Sequence, residues 1–187
     1  VAIRTALQSG SPLLITENFD SADIFIQPQD GSETPNAIKW VYAVVARFPT
    51  LIDGYNFEDL QNIWRGKVAV MHLVLAEETF HAMTSILGQT SSQNVKIVDK
   101  DDILDITWTQ SETIAIIPFE EIQPRFKVLK IDGLSPFDQD FAPEGYPLTV
   151  SYEIITDFYF GEGDALLSSI PETNRKREAF TSVILTG

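Results

Sequence analysis

The chain has no cysteine and only two histidines in 187 residues. Without a thiol it forms neither a disulfide framework nor a thiolate metal site, and it has no cysteine nucleophile. His72 lies in an apolar run and His81 in a helical pattern nine positions on, without the i, i+4 spacing that sets two imidazoles on one metal. Both read as structural. Basic residues are scarce too: 13 against 27 acidic ones, for a net charge of −14. That sign repels nucleic acid and anionic membrane, and favours no polyanionic partner by long-range attraction. No apolar run approaches the ~20 residues that span a bilayer, and no basic-then-apolar leader precedes Val1, so no membrane insertion is expected of this segment. The missing initiating Met and the end at Thr186 and Gly187 read as the borders of an excised segment.

Catalytic signatures are missing as well. No G-x-S-x-G elbow, phosphate-binding lysine loop or dinucleotide glycine fingerprint occurs. Asp99, Asp101, Asp102 and Asp105 lack the sixth-position glycine and terminal glutamate of a calcium loop, and read instead as the acidic start of a helix. Glu120 and Glu121 are adjacent, and neighbouring residues seldom converge on one substrate atom. The sequence assigns no catalytic residue, no metal ligand and no cofactor, and this segment is read as not an enzyme.

What is present is a core: 44% of residues are hydrophobic, enough for one domain or two small lobes. Residues 40–66 are the best specified. Val41, Ala43, Val44, Val45 and Ala46 make an almost wholly apolar run, as in a strand buried on both faces. Pro49 and Gly54 end it; Asn56 and Asp59 open a helix, and Phe57, Leu60, Ile63 and Trp64 share one face before Gly66 closes it. A strand over 68–76, a helix over 77–87 closed by Gly88, a strand over 95–98, a short acidic helix over 101–108 and a strand over 113–118 follow. This alternation predicts an α/β fold with parallel pairing. Residues 126–132 read as a half-exposed or edge strand, 148–155 as another strand, 22–26 as a buried strand and 27–36 as a loop. A short helix near residues 2–7, a linker over 157–178 and a strand over 180–186 complete the chain.

The strand, the Phe48-Pro49-Thr50 turn and the helix with Ile63-Trp64-Arg65-Gly66 resemble the hinge region of phosphate-type periplasmic solute-binding proteins. With residues 116–121, 126–133, Ser135-Pro136 and Tyr146-Pro147-Leu148, the order resembles the solute-binding-like domain of bacterial CapA-family proteins of poly-gamma-glutamate capsule biosynthesis. The resemblance covers roughly residues 22–156. It implies a type 2 periplasmic-binding-protein-like fold of two small α/β lobes with mixed or parallel sheets: 1–49 plus 146–187, including the linker, and 50–145. It implies a noncatalytic accessory domain of the cell envelope, extracytoplasmic, with a catalytic domain of the same chain downstream. The alternatives are a stand-alone extracytoplasmic solute-binding receptor, and a fragment of a metallophosphoesterase-like hydrolase whose catalytic domain follows residue 187.

A ligand site follows from topology, because open α/β sheets bind ligands beyond the carboxyl ends of their strands. Those ends place Gln27, Gln29, Arg47, Glu77, Glu78, Thr79, Phe119 and Glu120 at an inter-lobe crevice that takes a small molecule. Phosphate receptors use backbone amides and positive helix ends. Glu77 and Glu78 at such a helix start repel an anion seeking the same amides, which favours a neutral or cationic ligand.

Overall fold

A computed structural model describes residues 24–29, 37–90, 92–156 and 172–175. The expected helix at 2–7 and strand at 180–186 lie outside these residues, as does most of the linker at 157–178. The described elements run β1 (Ile24–Pro28), β2 (Ile38–Arg47), β3 (Gly54–Tyr55), α1 (Phe57–Trp64), β4 (His72–Leu75), α2 (Glu77–Leu87), β5 (Val95–Ile97), α3 (Ile103–Thr109), β6 (Thr113–Pro118), β7 (Phe126–Ile131) and β8 (Thr149–Thr156).

β2 organises the molecule because it changes partners on both flanks at the same point. On one flank its residues 38–41 pair antiparallel with β8 and its residues 44–47 with β7. On the other, residues 42–45 pair antiparallel with β6. Beyond β6, Lys39 bridges to Thr173 and donates its amide to the Glu172 carbonyl at 2.7 Å. β4 joins β6 in parallel, and β5 joins β4 in parallel. β8 also pairs antiparallel with β1. The same local pattern therefore occurs twice: β8 runs between β1 and β2, and β2 runs between β6 and β7.

Period-two alternation accounts for the apolar run of β2. Val44 and Ala46 face a cluster with Leu60, Ile63 and Trp64 of α1 and with Met83 and Leu87 of α2. Ala43 and Val45 face the other way, against Ile103 of α3, Ile117 and Phe126. Trp64 is fully buried, lies 5.4 Å from the Phe80 ring and donates its indole N–H to the Gly88 carbonyl at 2.8 Å. The start of α1 is held from two directions: Asp59 accepts from the Asn56 amide at 3.4 Å, and Asp132 accepts from the Phe57 amide at 2.9 Å.

Some expectations shift. The strand expected over 68–76 begins only at His72, and Val68 and Val70 are exposed. The strand read over 22–26 continues through Gln27 and Pro28, which the sequence assigned to a loop. β7 is bonded on both flanks, to β2 and to the two-residue β3 that the sequence read as turn. Gly54 permits that pairing, since a Cβ there would meet the Lys130 carbonyl oxygen at 2.5 Å.

Candidate functional site

β4 and β6 run parallel, so their carboxyl ends lie side by side, and β2 runs against β6 with Tyr42 opposite Pro118. Beyond β4 the chain enters α2 directly: Glu77 and Glu78 are exposed on its first turn, while Thr79 is buried. Beyond β6 it turns through a short 3-10 helix at Phe119–Glu121. Phe119 is buried, its ring 5.5 Å from Phe137. These turns meet β2 at the point where it changes partners.

A polar cluster fills that point. Ile38, Trp40 and Tyr42 share one face of β2, and Tyr152 lies opposite Ile38 on β8. The Tyr42 and Tyr152 hydroxyls are 3.1 Å apart. The Trp40 indole N–H donates to Glu120 Oε1 at 3.3 Å, and the Asn174 side-chain amide donates to Glu120 Oε2. Asn174 also accepts from the Val41 amide at 2.8 Å and donates to the Val41 carbonyl at 2.9 Å, taking the place of a strand where β6 ends. Arg175 fixes the same segment to the loop before β8, donating to the Pro136 and Asp138 carbonyls at 2.7 Å each and lying over the Phe141 ring.

At this end the phenol of Tyr42 is buried, Glu121 is half-buried and Glu120 stays partly open to solvent. Burial pushes the Glu120 carboxyl above its ordinary value, against the opposing pull of the bonds from Asn174 and Trp40. Burial also raises Glu121; Lys100 pulls it down, whereas Glu78 and Asp101 raise it further. Tyr42 is pushed far above the ordinary phenol range by burial, with Tyr152 and Glu120 adding to the effect. Beside Glu120 and Glu121 a cavity of about 280 Å³ opens over Ile103, Leu104, Ile117, Ile122 and Phe126, with Lys100 and Gln123 at its rim. Such a surface offers carboxylate, ammonium and carboxamide partners above an apolar floor. Among the described residues, no group of three acidic or histidine side chains is placed to hold a metal ion.

Of the residues selected from sequence, Glu77, Glu78, Thr79, Phe119 and Glu120 come together at these strand ends. Gln29 lies at the end of β1, its amide bonded to the Ser151 carbonyl at 2.8 Å, one residue from Tyr152. Gln27 is on the face of β1 away from Tyr152 and donates to Glu153 at 2.7 Å. Arg47, expected at the same crevice, is at the opposite end of β2. It is five residue steps along the strand from Tyr42, roughly 16 Å at ~3.3 Å per step. The physical reason is direction: β2 is antiparallel to β6, so its carboxyl end lies with the amino ends of β4 and β6. Sequence reasoning missed Trp40, Tyr42, Tyr152 and Asn174. For the first three, aromatic residues with polar tips inside otherwise apolar strands were a usable signal. Asn174 had none, being 133 positions from Val41.

No family model and no curated protein matches the chain. Solved structures do match. An ABC-type phosphate transport receptor from Vibrio cholerae superposes with a TM-score of 0.66 at 14% identity, over 86% of this chain and 76% of that one. A protein of the phosphate ABC transporter substrate-binding type from Clostridium perfringens, solved with bound phosphate, gives 0.60 at 15% identity, over 90% and 76%. PstS from Borrelia burgdorferi gives 0.52 at 11% identity, over 86% and 70%. At such identities the likeness is one of fold. The chain has the mixed α/β fold of the periplasmic-binding-protein-type phosphate receptors.

Proposed function

We propose that this chain is a noncatalytic solute-binding domain that takes a small ligand beside the point where β2 changes partners. The observation that carries the reading is a coincidence of fold and place. The fold is that of solute receptors, and the carboxyl ends of β4 and β6 converge on the double partner change of β2. In this reading residues 1–49 with 146–187 form one lobe and 50–145 the other, β2 and β8 cross between them, and the domain works outside the cytoplasm. No helix among the described residues is long and apolar enough to cross a membrane.

The ligand is neutral or cationic. Glu77, Glu78, Glu120 and Glu121 stand at this end of the sheet, with Lys100 beside Glu121. A bare oxyanion would meet them before reaching the first amides of α2. Titration calorimetry with inorganic phosphate, glutamate, neutral sugars and aliphatic diamines tests this. A neutral or cationic solute is expected to give binding heat that weakens in Glu120→Ala, with no heat from phosphate. Micromolar phosphate binding would overturn the ligand class, and silence across the whole set would overturn the receptor reading. The narrower placing in a CapA-family capsule protein, with a metallophosphoesterase-like domain after residue 187, rests on motif order in the sequence. It predicts binding of short poly-gamma-glutamate, which the carboxylates of this site oppose.

A further inference from the structure

The amino ends of β4 and β6 and the carboxyl end of β2 form a surface of opposite character. The loop after β2 exposes Phe48 at 66%, Leu51 at 96% and Ile52 at 41%. The loop is nonetheless fastened: Lys127 donates to the Thr50 carbonyl at 2.9 Å and to Asp53 at 2.7 Å, and the Phe48 amide donates to the Arg125 carbonyl at 3.2 Å. Its apolar side chains are therefore displayed on an ordered backbone. Val68 and Val70, just before β4, are exposed at the same end of the sheet. β6 alone lies between β4 and β2, so Arg47 and His72 are about 10 Å apart at ~4.8 Å per strand step, and the loop carries Leu51 and Ile52 onward past β7 toward β3.

Cations surround them. Arg47 and Arg125 flank the loop and Arg65 and Lys67 precede Val68, all four exposed, with the exposed Glu112 at the start of β6 as a carboxylate among them. Arg125 lies over the Trp108 ring at 4.8 Å and stays at the surface. The chain's net charge of −14 does not govern such a patch. The acidic strand ends lie the length of β6 away, roughly 17 Å at ~3.3 Å per residue, which is about two Debye lengths at physiological salt.

We infer that this end of the molecule is a peripheral docking surface for an anionic phospholipid bilayer. Apolar residues and cations alternate here on projecting loops. The core of a protein–protein interface is depleted of charge, whereas at a bilayer the cations reach lipid phosphates while apolar neighbours enter the acyl boundary. Charge complementarity thus selects a lipid surface over a protein partner. Contact is interfacial, with no spanning segment.

Vesicle flotation of the full chain tests the inference, comparing phosphatidylcholine alone with phosphatidylcholine plus phosphatidylglycerol. The chain is expected to float with the anionic vesicles only, and added salt should release it. Arg65→Gln and Lys67→Gln should each weaken partition about fivefold, and Leu51→Asp about tenfold or more. Unchanged circular dichroism and melting midpoints would show that these exposed-site variants fold. Equal flotation with both vesicle types, or variants that float like the parent chain, would overturn the inference. So would sedimentation showing self-association that Leu51→Asp abolishes, since the face would then belong to a second copy. Loss of solute binding has no bearing on these outcomes.

Discussion

The two ends of β2 are built from opposite materials. At the Tyr42 end, two tyrosine hydroxyls, an indole and a carboxamide are turned inward at a change of strand partners, and the indole and carboxamide bond the carboxylate of Glu120 at the cluster's solvent edge. At the Arg47 end, apolar groups are turned outward and held by one lysine bridging a loop. Inward polar groups need partners in place before they are worth burying, so that end is specified by long-range bonds. Outward apolar groups cost the fold little and are retained where they touch something. Composition averages the two into one acidic chain and hides the division.

The largest effect tests the packing that both ends share. Trp64→Ala removes a fully buried ring beneath the sheet, and should cost about 3–5 kcal/mol in denaturant unfolding. A loss well under about 1 kcal/mol would mean that the sheet does not rest on α1. Next is Asn174→Ala, which strips partners from both backbone groups of Val41 and should cost about 1–3 kcal/mol. An equal loss from Lys127→Met would erase the contrast between a buried polar end and an exposed tethered one.

A smaller effect separates the ends by pH. Burial raises Glu120 and Glu121 above the ordinary 4.5, so the folded state holds their protons longer than the unfolded chain. Their contribution is favourable below about 4.5 and is lost as pH rises through the raised values. Asp53 behaves oppositely. The bond and charge of Lys127 lower it from 3.8, so its contribution is present above that value and fades as pH falls through the lowered one. Glu120→Gln should flatten the decline of stability on the rising side, and Asp53→Asn the decline on the acid side, in melts followed across pH. Exchanged effects would show that the two ends are not electrostatically separate.

Much of this fold was legible locally. The helix start at Asn56, the helix at Glu77–Leu87 and the strand at Thr113–Pro118 each carry their own signals, namely a cap, a closing glycine and a β-branched run bounded by proline. Strand direction carries no such signal, which is why Arg47 was placed with Glu120 when antiparallel pairing puts it far away. Val68 and Val70 looked like the start of a strand because apolar periodicity does not distinguish a buried face from an exposed one. Thr79 and Glu120 were selectable from their positions after strands. Asn174 was not, because its task is to finish a ladder begun in a distant part of the chain.

Three tryptophans divide the molecule for direct observation: Trp40 bonds Glu120 at the polar end, Trp64 sits in the shared core, and Trp108 lies with Arg125 at the other end. Their indole N–H resonances, followed while diamines, sugars and phosphate are added in turn, report where a solute binds. A neutral or cationic solute that shifts Trp40 and leaves Trp108 in place is the predicted result. A solute that moves Trp108 while Trp40 stays fixed would contradict a binding site at the partner change of β2.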